Sequence, residues 1–228
     1  MTNELSDDQS TIKIVLLQHI DIYKPEYKAT IIHTFQKIGY NCIVHAELKG
    51  KGVAIAYNKK WFKSHKILYK DKGFKILSIM VKSGSANISI SSIYGIPNQI
   101  INENKQFAEK VKHLSITIKQ EFDKLNEQPL IIIGGDTNTI WCHNDYSSLT
   151  NEEISRPTDY LFNDVIMEWQ LIDAYLNQAE LPIPRFTFST NTSCSRLDKI
   201  YINENIITKP NKTIHSTFGT LQTDHLTV

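Results

Sequence analysis

Short apolar or alternating runs recur at positions 12–18, 42–46, 52–57, 76–81, 86–94 and 129–135, and again at 185–189, 196–202 and 213–218. Each is bounded by turns rich in Gly, Pro, Asn or Lys, and runs of this length and composition predict β-strands. Within 86–94, Ile88, Ile90 and, after a slip, Ile93 alternate with serines, which predicts a strand with one apolar and one polar face. Three segments carry a longer period. Tyr27, Ile31, Phe35 and Ile38 share one side of 26–38, and Phe107, Val111, Leu114, Ile118, Phe122 and Leu125 recur at helical spacing through 106–125, with 159–169 as the third. These predict amphipathic helices. The connections between 42 and 94 are too short for crossover helices, so those strands should form antiparallel meanders. The whole reads as an α/β layered sandwich.

The 228 residues suffice for one domain with a substantial core, and no linker or repeat divides them. With 41% hydrophobic and 21% charged residues the chain is expected to fold as a globular unit. Lys+Arg 25 against Asp+Glu 24 leaves a net charge of +1, so nucleic-acid binding would need a local patch. Cys42, Cys142 and Cys194 are odd in number and widely separated, with no disulfide or zinc-ligand spacing, which fits a reducing compartment. The beginning, MTNELSDDQS, is polar and acidic and no apolar run is long enough to span a bilayer, so an intracellular protein, cytoplasmic or nuclear, is expected. Residues 1–11 read as a polar N-terminal extension and 12–228 as the domain.

Four segments carry chemistry. In PLIIIGGDTNTIW a strand runs into Gly134-Gly135 and places Asp136 and Asn138 just beyond its end, both expected to point the same way. In SRLDKIYIN, Asp198 interrupts an apolar strand and needs a partner, either an imidazole or a neighbouring Arg196 or Lys199. In TDHLTV, Asp224 and His225 set a carboxylate beside an imidazole. In SSIYGIPN, Tyr94 ends a strand before a turn, where its phenol could donate to a phosphate oxygen. Each alone has an ordinary alternative: a β-turn, a strand-end ion pair, surface decoration, a ring packed at a sheet edge.

Taken in order, these segments resemble the endonuclease/exonuclease/phosphatase superfamily, most closely its retrotransposon-type endonucleases. IKIVLLQHID resembles the family's LLQE strand, GKGVAIAYN its GGV strand, SSIYGIPN its YAPN turn and IIIGGDTN its GDFN strand. EWQLIDAY, RFTFST, SRLDKIYI and TDHLTV resemble four further family segments. The resemblance implies a four-layer α/β sandwich of two mostly antiparallel sheets flanked by helices. It also implies hydrolysis of a phosphodiester, with DNA as partner and Mg2+ or Mn2+ as cofactor. Asp136 would position or deprotonate the attacking water, Asn138 would hold the phosphate and Tyr94 would donate to a non-bridging oxygen. His225, oriented by Asp198, would stabilise developing charge, Asp224 would help hold the metal, and Thr187 would be a secondary contact.

The chain departs from the family pattern in two places. The family's metal-binding glutamate is His19 here, and imidazole suits manganese or zinc better than magnesium. Asp21, two residues on, is a candidate substitute. Only eleven residues precede Ile12, so the family's first strand is expected to be missing, and the chain reads as a fragment of a longer reading frame clipped at both ends. A lysine-rich segment from Lys59 to Lys75, interleaved with Trp61, Phe62, Tyr69 and Phe74, suggests a substrate-facing hairpin in which Lys59, Lys60 and Lys63 touch nucleic acid. A solvated hairpin whose lysines discourage edge pairing is the alternative. Three functions follow: a retroelement-derived DNA endonuclease with a degenerate metal site, an inactive relic that at most binds nucleic acid, or a phosphatase acting on a phospholipid or inositol phosphate. No membrane anchor and no small-molecule cofactor are expected, and a monomer is.

Overall fold

The computed structural model describes residues 12–96, 101–139, 146–148, 159–174, 187–189 and 193–203. The extension 1–11, the run expected at 213–218, residues 185–186 and the TDHLTV segment lie outside them. In chain order the elements are β1 (Ile14–Asp21), α1 (Pro25–Lys37), β2 (Tyr40–His45), β3 (Lys51–Asn58), β4 (His65–Lys70), β5 (Ile76–Ser83), β6 (Ala86–Tyr94), α2 (Ile101–Leu125) and β7 (Ile131–Asp136). They continue with β8 (Tyr146–Ser148), α3 (Asp159–Glu168), β9 (Leu171–Asp173), β10 (Phe188–Ser189), β11 (Ser193–Ser195) and β12 (Asp198–Asn203).

The small sheet has the order β1-β3-β2 and the large one β4-β5-β6-β7-β12-β9, with a short β10-β11-β8 sheet beside them. All pairings are antiparallel except β6 with β7, whose parallel register is made possible by the α2 crossover. The expected meander is present, and β4 is an edge strand that the sequence pattern left inside the lysine-rich segment. Val53, Ile55 and Tyr57 of β3 pack on Leu77, Ile79, Val81 and Ile90 of the large sheet. The sheet's other face buries Ile76, Ile93, Ile131 and Ile133 against Phe107, Val111, Leu114, Ile118 and Phe122 of α2. Each such side chain contributes roughly 1.5–3 kcal/mol. With α1 packed against β2, the architecture is the expected four-layer sandwich.

Three local features differ from expectation. The serine face of β6 is not polar surface: Ser89 and Ser91 are fully buried, and Ser92 is buried on the opposite face, where its Oγ donates to the Leu17 carbonyl at 3.2 Å. Ser91 Oγ donates to Ser78 Oγ at 2.9 Å, and Ser89 and Ser91 share a face with Ile93, the face that α2 covers. The sequence shows a polar face, but hydroxyls that satisfy one another across strands are small enough to sit under a helix. Second, α2 begins at Ile101 rather than 106, because its first turns carry polar residues and Glu103 but no apolar stripe. It ends at Asn126, whose φ of 53° supplies the left-handed cap, with Glu127 N donating to the Phe122 carbonyl at 3.2 Å. Third, α1 buries no residue, although Pro25 opens it at the expected place.

Candidate active site

Register builds the site. Tyr94 of β6 lies opposite Asp136 of β7, and Asp136 lies opposite Asp198 of β12. Three chemistry-bearing residues therefore form one row across three adjacent strands, about 5 Å apart per step. Because strand side chains alternate, Asp136 shares a face with Gly134, Tyr94 with Ser92 and Asp198 with Ile200. That face looks toward the small sheet: Leu16 lies against Gly134 and Gln18 Nε2 donates to Ser92 Oγ at 3.0 Å. The row sits at the end of β6 and β7 and the start of β12, on the face turned to the small sheet.

Close backbone contacts hold it there. Gly95 N donates to the Asp136 carbonyl at 2.7 Å, and a Cβ on Gly95 would lie 2.0 Å from the Thr137 carbonyl oxygen. Gly135 adopts φ 137°, and a Cβ there would strike the Ile93 carbonyl at 2.1 Å. The Gly134-Gly135 pair thus lets β7 lie tight between β6 and β1.

Asp136 is the last residue of β7, not the first beyond it. Asn138 does not reach the site by strand alternation. Its backbone turns back at φ 52°, its N–H donates to Asp136 Oδ1 at 2.9 Å and its side-chain amide donates to the Gly95 carbonyl at 3.3 Å. This Asx-type turn packs carboxylate and amide together, both buried. Thr187 is engaged too: its Oγ1 accepts the Leu197 and Asp198 amides, each at 3.0 Å, which shapes the start of β12. Arg196 and Lys199, the neighbouring cations, each reach another group as well. Arg196 pairs with Asp173 at 2.7 Å, and Lys199 Nζ donates to the Thr139 carbonyl at 2.8 Å.

His19 comes to the same place from the opposite wall. Its ring stacks on Tyr94 with centroids 5.4 Å apart, and its φ is 55°. A bulge between Leu17 and Ile20 inserts one residue into β1, so the two-residue alternation that would set Asp21 beside His19 is broken. Asp224 and His225 lie outside the described residues. Among those described, no three His, Cys, Asp or Glu side chains form a metal-holding group.

Lys59, Lys60 and Lys63 are not brought to this row. They follow the far end of β3, where Lys63 N donates to the Lys82 carbonyl, whereas β3 begins at Lys51 beside Asp21. The eight residues of β3 separate the two ends by roughly 23 Å. A lysine that the sequence did not single out stands there instead. Lys75 Nζ lies 4.5 Å from the Tyr94 ring centroid, and its carbonyl accepts the Tyr94 N–H at 2.8 Å. The signal was present: counting back along the hairpin from its Ser83–Ala86 closing pair brings Lys75 opposite Tyr94.

The loop carrying Lys75 is anchored by Asp71, which is 3% exposed. Its carboxylate accepts the amides of Gly73, Lys75 and Ile76 at 2.9, 2.7 and 2.8 Å and the Lys110 ammonium at 3.0 Å. Burial alone would raise the Asp71 pKa, but His45, the Ile76 amide and Lys110 outweigh it and hold the carboxyl far below its usual value. His45 Nε2 donates to the Asp71 carbonyl at 2.7 Å and closes the loop.

Residues 3–218 match the Endonuclease/Exonuclease/phosphatase family. The chain belongs to that family. No curated protein sequence matches the chain significantly. Among solved structures, this family member is similar to an AP endonuclease from Archaeoglobus fulgidus, at 17% identity and TM-score 0.59, over 85% of this chain and 77% of that one. It is also similar to D. rerio TDP2 complexed with a single-strand DNA product, at 16% identity and TM-score 0.56, over 94% of this chain and 81% of that one. The endonuclease domain of TRAS1, a telomere-specific non-LTR retrotransposon, matches at 17% identity and TM-score 0.51, over 86% of this chain and 74% of that one. At these identities the likeness is one of fold, and the superfamily sandwich is the fold described above. No helix among the described residues is long and apolar enough to cross a membrane.

Proposed function

We propose that this family member is a divalent-metal-dependent DNA endonuclease of the retroelement kind. The observation that carries the reading is the row Tyr94–Asp136–Asp198, set by register on one face of three adjacent strands. Asp136 accepts the proton of the attacking water as its oxygen bonds to phosphorus, and the bond to the departing sugar oxygen breaks, that oxygen taking a proton from solvent. Asn138 holds the phosphate beside Asp136, and Tyr94 donates to a non-bridging oxygen. Asp198 orients His225, which stabilises the developing negative charge.

Two buried or half-buried carboxylates beside an amide make a hard-oxygen surface suited to Mg2+ or Mn2+. Asp224 and His19 would hold the cation, which would supply charge neutralisation at the scissile phosphate. An imidazole at position 19 favours manganese over magnesium. That same position favours the second reading, an inactive relic, because a ring stacked on Tyr94 is a poorer magnesium ligand than a carboxylate.

End-labelled duplex DNA incubated with the purified chain in magnesium, in manganese and in a chelator tests the reading, with an inositol phosphate as comparator. Cation-dependent cleavage of the DNA alone is expected. Phosphate release from the inositol phosphate with intact DNA would overturn it.

A further inference from the structure

The lysine-rich segment is divided between the two ends of the sandwich, and its last member stands at the site. Lys75 Nζ makes no hydrogen bond or ion pair among the described residues, yet it is half-buried and lies 4.5 Å from the Tyr94 ring centroid. An ammonium gives up hydration there, and burial lowers its pKa while Asp71 and Glu103 pull it back. Its backbone is fixed on both sides, by the Asp71 carboxylate through the Lys75 amide at 2.7 Å and by Tyr94 through the Lys75 carbonyl at 2.8 Å. Lys51 and Lys110 stand near enough for their charges to act on it. A cation prepaid in this way, one step along the row from Tyr94, is placed to meet a second phosphate.

We propose that Lys75 binds the phosphodiester next to the scissile one on the cut DNA strand, extending the row to Lys75–Tyr94–Asp136–Asp198. The proposal rests on the nuclease reading above. Successive phosphates along an extended strand are roughly 6–7 Å apart, comparable to the spacing of one to two strands in the sheet. The contact is electrostatic and needs no metal, so it is separable from cleavage. The surface that binds nucleic acid is then the Asp71-anchored loop rather than the Lys59, Lys60 and Lys63 end.

The test is fluorescence anisotropy of a labelled single-stranded DNA 12-mer in a chelator, across a salt series. It compares the wild type with Lys75→Met, which keeps the aliphatic stem on Tyr94, with Lys75→Arg, and with Lys82→Ala at the far end of β5. Lys75→Met should weaken binding about fivefold or more and lower the log–log salt slope by about one. Lys75→Arg and Lys82→Ala should stay near wild type, and all four proteins should share a thermal midpoint. Unchanged affinity or slope in Lys75→Met, an equal loss in Lys82→Ala, or no binding by the wild type would overturn the proposal. Metal-dependent cleavage abolished by Asp136→Ala reports on the nuclease reading separately.

Discussion

The two walls that meet at the candidate site, one from each sheet, are built differently. The large-sheet wall holds Tyr94, Asp136 and Asp198 on strands paired on both sides, with Gly95 and Gly135 allowing backbones to touch and Asp71 tying down the adjoining loop. The β1 wall holds His19 on an outer strand, at a bulge, in the left-handed region and exposed, with no residue of β1 fully buried. Chemistry on the first wall is fixed by the packing of the whole domain. Chemistry on the second depends on one strand, so exchanging the residue at 19 costs little structure.

Asp71→Ala should break the contrast most severely. It strands three backbone amides and the Lys110 ammonium, at a cost of about 3–5 kcal/mol in chemical denaturation. A loss below about 1 kcal/mol would mean that the loop is not held by this carboxylate. Gly95→Ala comes next. The added methyl forces β6 from Thr137, for about 1–3 kcal/mol and with loss of cleavage, because Asp136 and Tyr94 part.

The pH dependence of stability sharpens the same point. The Asp71 carboxyl titrates lower in the folded chain than in the unfolded one, whose value is near 3.8. Its contribution is therefore fully present above about pH 5 and is lost as pH falls through the unfolded value toward the folded one. Acid denaturation monitored by circular dichroism should show a fall below about pH 4 that is flattened in Asp71→Asn. An unchanged acid limb would assign the loss to other carboxylates.

The smallest structural effect belongs to the other wall. His19→Glu should alter stability by less than about 0.5 kcal/mol and shift the metal preference of cleavage from manganese toward magnesium. A large destabilisation would show that the His19–Tyr94 stack is part of the scaffold and that the β1 wall is as firmly built as the other.

How much of this the sequence shows follows from which interactions are local. Strand periodicity in 52–57, 76–81 and 86–94 located β3, β5 and β6 to within a residue or two at each end, because each buries one or both faces. The aligned positions of Tyr94, Asp136 and Asp198 were suggested by motif order, and the register brings them together. What stayed hidden depends on distant partners. The burial of Ser89 and Ser91 is decided by α2, and β9 is too short, at Leu171–Asp173, to carry a period. The turn at Asn138 is the exception, a local feature offered by the segment's own Asp and Asn and closed by the Asn138 N–H on Asp136. Lys59 and Lys75 fall in one basic segment but at opposite ends of the fold, since β4 runs the length of the sheet between them.

The central claim is tested most directly by nicking of supercoiled plasmid in manganese by the wild type and Asp136→Ala, both shown to be folded by equal thermal midpoints. The account predicts nicking by the wild type and at least about a 100-fold loss in Asp136→Ala. Equal nicking by the two proteins, or none by the wild type and none by His19→Glu, would contradict it.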